Sequence, residues 1–133
     1  MRLVLLVLMP IVVAVAVGCA NDPEVDSLKG TWVGTGSGFD GSSYQEMTQK
    51  IVVTEVREDS DTFLGYKQTK EKGAQYGPKT TIRGAIGPSG VVSITDDDGY
   101  ELLEFSGDNK LEGQYLEADP KAGTVKNYTL EQK

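Results

Sequence analysis

From Leu28 to the end of the chain, apolar and polar residues alternate in short runs, and no window carries a helical period long enough to define a helix. The alternation predicts strands over Leu28–Thr35, Gln45–Val56, Thr62–Lys70, Thr80–Ile86, Val91–Thr95, Tyr100–Ser106, Lys110–Ala118 and Thr124–Glu131. The segments between them carry turn chemistry. Gly87-Pro88-Ser89-Gly90 places Pro second and Gly fourth, as a type I turn prefers. Asp98-Gly99 and Asp108-Asn109 suit tight hairpins, and Asp119–Gly123 suits a longer one. Gly36–Tyr44 and Glu71–Lys79 read as two longer glycine-bearing loops, each holding one aromatic residue, Phe39 and Tyr76. The fold class expected is all-β, an antiparallel up-and-down barrel of about eight strands, because an open meander would leave unpaired edges.

Glycine recurs inside the strands with a fixed spacing. Leu28/Gly30/Trp32, Ile82/Gly84/Ile86 and Leu111/Gly113/Tyr115 each put Gly between two apolar residues on one face, and Phe63/Gly65/Lys67 is a copy that ends on a charge. Gly weakens a strand, so its repetition on the apolar face calls for sharp curvature or for space between facing side chains. Both belong to a small closed barrel.

Leu28-Lys29-Gly30-Thr31-Trp32 resembles the opening strand of the calycin barrels, the lipocalin, fatty-acid-binding and avidin group. The segments Gly84-Ala85-Ile86 and Leu111-Glu112-Gly113-Gln114-Tyr115 look most like the avidin branch. The resemblance implies a barrel with Trp32 at one end. It does not extend to biotin, since avidin-type sites use several tryptophans and this chain has one. Nor does the last strand offer the arginine that lipocalins stack on that Trp; it offers Lys126.

Ahead of the strands, Leu3–Val17 is an apolar run of 15 residues containing Pro10, preceded by Arg2 and followed by Gly18-Cys19. A membrane-spanning helix needs about 20 residues. A charged start, apolar centre and small-residue exit are the parts of a secretory signal, and this one resembles a bacterial lipoprotein signal. That implies cleavage after residue 18, acyl chains such as palmitate on Cys19, and a membrane partner reached through them. Ala20 in place of Asp after the cysteine implies the outer membrane where the source has two. Residues 19–27 then form a polar tether and 28–133 the barrel domain.

Removal of residues 1–18 leaves 115 residues, one domain, with 12 basic and 20 acidic residues. That acidity disfavours nucleic acid as a partner. The chain has no histidine, and its one cysteine is assigned to lipid, so the commonest general base, the commonest metal ligand and thiol nucleophiles are all missing. Asp96-Asp97-Asp98-Gly99 could hold a cation through Asp96 and Asp98, but a solvated turn accounts for it better. Glu101, Glu104, Glu112 and Glu117 could supply a carboxylate pair for hydrolysis, and are expected on the surface instead. The inner faces collect Trp32, Phe63, Ile82, Tyr115 and Tyr128 as candidates to line a ligand site, with Phe39 and Tyr76 as candidate contacts at the barrel mouth. The function expected is therefore non-catalytic and needs no cofactor: binding of a small apolar ligand or an envelope partner protein beside the membrane. The alternatives are a packed barrel acting through its surface and a carboxylate-based hydrolase.

Overall fold

The computed structural model describes residues 23–118 and 123–133; the signal segment and Cys19 lie outside the described residues. Eight strands close into one antiparallel barrel in chain order: β1 (Gly30–Asp40), β2 (Ser43–Arg57), β3 (Thr62–Glu71), β4 (Thr80–Ile86), β5 (Val92–Thr95), β6 (Tyr100–Gly107), β7 (Lys110–Glu117) and β8 (Thr124–Gln132). Pairing of β1 with β8 completes the ring, so no edge is left open. No helix among the described residues is long and apolar enough to cross a membrane.

The expected segment Gly36–Tyr44 is not a loop. β1 and β2 pair without a break from Gly30↔Val53 to Asp40↔Ser43, and only Gly41 and Ser42 turn the chain. The glycines that suggested a loop are spaced two apart and face inward, where they admit what a side chain would exclude. A Cβ on Gly36 would strike the Tyr128 ring, and one on Gly38 the Val125 carbonyl. The same division holds elsewhere: Gly84 leaves room for the Phe63 ring, while Gly113 lets the β6 backbone approach at Leu102. Space for rings and close backbone approach each apply, at different positions.

The barrel has two unlike ends. At one, the tether expected to run to Ser27 is shorter, because Val25–Leu28 forms a 3-10 turn whose Val25 and Leu28 are buried in the core. Trp32 Nε1 donates to the Leu28 carbonyl at 2.8 Å, and its ring meets Phe105 edge-on at 6.1 Å. Above this plug, Ile51, Val53, Phe63, Ile82, Val92, Ile94, Leu103, Leu111 and Leu130 fill the lumen. Each fully buried aliphatic side chain contributes about 1.5–3 kcal/mol. A bulge in β2 between Val53 and Glu55 shifts the inward register by one, so Val56 packs on the core and Glu55 stays in solvent. β1, β3, β5 and β7 run toward the other end, the mouth.

Candidate functional site in the barrel lumen

The half of the lumen nearer the mouth is polar. Alternation from the apolar half carries straight into it: Lys67 is the next inward residue after Phe63 and Gly65, Gln49 precedes Ile51 and Val53, and Glu101 precedes Leu103. Glu101 is 1% exposed. Its expected surface position is thus corrected, whereas Glu104 and Glu112 are exposed and Glu117 is half-buried. The physical reason is the period-two rule itself, with Leu103 inward (0%) and Leu102 outward (42%).

Glu101 Oε2 accepts a hydrogen bond from Gln49 Nε2 at 2.8 Å. Its other oxygen, Oε1, lies 3.6 Å from Lys67 Nζ and has no hydrogen-bond partner, although it is buried. Lys67 pairs more closely with Asp96 and rests its ammonium on the Tyr115 ring, 4.2 Å from the centroid. Burial pushes the Glu101 carboxyl above its ordinary value, against the opposing pull of Lys67 and Gln49. Burial acts on Asp96 in the same sense. There it is outweighed by Lys67 and by the backbone N–H groups of Asp98 and Gly99, so Asp96 titrates below its ordinary value. Both N–H groups donate to Asp96 Oδ1 at 2.8 Å, so Asp96 caps its own turn. Burial, together with nearby carboxylates, raises the phenols of Tyr115 and Tyr128 as well.

A second charge sits in the same region. Lys126 is 6% exposed, and its ammonium contacts the neutral Gln45 Oε1 at 3.3 Å and Met47 Sδ at 3.2 Å. No carboxylate among the described residues forms an ion pair with it. A cavity of about 680 Å³ borders Met47 and Gly36 and extends over Thr35, Ser37 and Thr48 on the outside of β1 and β2. A larger cleft, about 1250 Å³, lies at the closed end between Pro23, Ile86 and Phe105.

The candidate residues divide between these regions. Trp32, Phe63 and Ile82 are core residues of the packed half, whereas Tyr115 and Tyr128 stand beside the charged cluster. Phe39 is on a strand and meets Tyr44 edge-on at 5.7 Å, outside the barrel. Tyr76, in the β3–β4 connection, lies between the ammonium groups of Lys50 (4.4 Å) and Lys70 (4.7 Å). Asp96 and Asp98 converge on a turn, and among the described residues no group of three acidic side chains is placed to hold a metal. Lys126 lies six residues along β8 from Gln132, the residue paired with Trp32, and does not cover that ring. Sequence reading missed Lys67, Gln49 and Lys126 as site residues. Their inward position was legible in the alternation, but the partners that tolerate their burial come from distant strands.

No family model and no curated protein matches this sequence. Among solved structures, the barrel is similar to an S-type phycobiliprotein lyase from Guillardia theta, with a TM-score of 0.55 and 11% identity over 82% of this chain and 90% of that one. The expectation that the barrel marks a non-enzyme is corrected by this likeness, since a protein with the same architecture is named a lyase. At this identity the likeness is one of fold, and an activity must come from the site. The fold is a calycin-like, closed eight-stranded barrel.

Proposed function

We propose that this chain is an exported, lipid-anchored barrel that binds a small ligand in the polar half of its lumen. The observation that carries the reading is the buried Glu101 Oε1, which has no hydrogen-bond partner and lies in a cluster with Lys67, Asp96 and Gln49. Leaving a buried acceptor unsatisfied costs about 1–3 kcal/mol, and a ligand donor would remove that cost. The similar lyase structure supports the use of such a barrel on small groups. Because the apolar half is filled by side chains, the ligand has polar groups and enters from the mouth.

The anchor rests on the lipoprotein-like signal ending at Cys19. Pro23 reaches the barrel at its closed end, about 14 Å of extended chain from Cys19. An anchored barrel therefore holds its mouth away from the lipid surface.

The test is a melting-temperature screen of the full chain against small acids, amines, alcohols and fatty acids, repeated with Glu101→Gln. At least one compound should raise the melting temperature of the wild type and fail to do so in E101Q. A panel inert on the wild type overturns the lumen reading. For the anchor, Cys19→Ser should move the chain from the membrane fraction to the soluble one; a wild-type chain that is soluble, with no acyl mass on Cys19, overturns it.

A further inference from the structure

Two buried charges of the lumen, Glu101 and Lys126, reach the same strand. Glu101 reaches from β6 to Gln49, and Lys126 reaches from β8 to Met47 and Gln45. Gln49, Met47 and Gln45 are successive inward residues of β2. One inward step along a strand is about 7 Å. The Glu101 carboxylate is thus held at Gln49 and the Lys126 ammonium at Met47, on neighbouring inward positions of one strand.

The charges of this region balance in a particular way. Lys67 is shared between Asp96 and Glu101, which leaves one negative charge in excess among these three buried groups. Lys126 contributes one positive charge, and its partners among the described residues, Gln45 and Met47, are neutral. A purely anionic ligand would satisfy Lys126 but add to the excess beside Glu101, and a purely cationic one would do the reverse. Buried charges need partners at both ends. A net-neutral ligand with opposite charges at its two ends satisfies both without placing a new net charge in the barrel.

On the reading that the polar half of the lumen is a ligand site, we propose that its ligand is a small zwitterion. Its amine would donate to Glu101 Oε1, and its carboxylate would accept from Lys126 Nζ, with the two groups separated by about one inward strand step, or ~7 Å. Met47 lies against the connecting chain, and its flexible thioether suits an aliphatic linker. Short α-amino acids, whose charges are adjacent, cannot reach both ends. A linear amine-acid with several methylene groups between its charges can.

The experiment is calorimetric titration of the full chain with glycine, 4-aminobutanoate, 6-aminohexanoate, hexanoate and hexylamine. One of the two longer amino acids should bind at least tenfold more tightly than glycine, hexanoate or hexylamine. Lys126→Met should reduce its affinity to that of hexylamine, and Glu101→Gln to that of hexanoate. These comparisons use differences among ligands on one protein, so they survive a loss of stability in either variant. Hexanoate or hexylamine binding as tightly as the best amino acid overturns the zwitterion and leaves the lumen site standing. Failure of all five to bind overturns the zwitterion as well, while the broader screen with E101Q decides the site separately.

Discussion

Gln49 on β2 donates its amide to Glu101 on β6 across the lumen at 2.8 Å, linking residues 52 apart in sequence by a fully buried hydrogen bond. That bond fixes one carboxylate oxygen and leaves the other to Lys67, 3.6 Å away. The polar half of the barrel is thus a network held at several points and incomplete at one.

The incomplete point sets a pH dependence. Glu101 has a raised value in the folded state, so the folded chain holds its proton more tightly than the unfolded chain does. Stability attributable to Glu101 is full below its ordinary 4.5 and declines as pH rises from there through the raised value. Asp96 works in the other direction: its lowered value gives stability that is present above 3.8 and is lost as pH falls through the folded value. Urea titrations across pH should show both limbs. Glu101→Gln should remove the upper limb alone and stabilise the neutral-pH protein by about 1–3 kcal/mol, since the amide carries no charge to desolvate. Unchanged pH dependence in E101Q would contradict the assignment.

Lys67 is the shared cation of the cluster. Lys67→Met leaves Asp96 and Glu101 with no ammonium between them. Removing one partner of a buried ion pair costs about 3–5 kcal/mol, so the urea midpoint at pH 7 should fall by that equivalent. The loss should be smaller at low pH, where both carboxylates are protonated.

Gly84 and Phe63 form a size-matched pair, in register between β3 and β4. A methyl group on Gly84 would occupy the place of the Phe63 ring. Gly84→Ala should destabilise by about 1–3 kcal/mol through overpacking, and the double variant with Phe63→Leu should cost less than the sum of the two single changes. Additive costs would show that the ring and the glycine do not share that space.

Leu28 closes the barrel end and carries the carbonyl that accepts from Trp32. Leu28→Ala should cost about 2–5 kcal/mol and shift the emission of the one tryptophan to longer wavelength as water reaches the ring. An unchanged spectrum would place the closure elsewhere.

The alternating pattern by itself determined the eight strands, because inward and outward side chains must alternate on a pleated strand whatever the final topology. It also determined Trp32 as an inner residue, while the calycin resemblance implied its place at one end and turn chemistry gave the turns at Pro88 and at Asp98-Gly99. Local chemistry misled where it was read as composition: Gly36 and Gly38 looked like loop residues until Tyr128 and the Val125 carbonyl were seen to occupy their missing side chains. Glu101 was expected on the surface, and Lys67 and Lys126 were not taken as site residues, because a lone charge belongs in water. Only the closed barrel decided otherwise, bringing Gln49, Asp96 and Tyr115 together around Glu101 and Lys67, and Gln45 and Met47 to Lys126. Burial of a charge depends on partners that come from elsewhere in the chain, and no local window of sequence contains them.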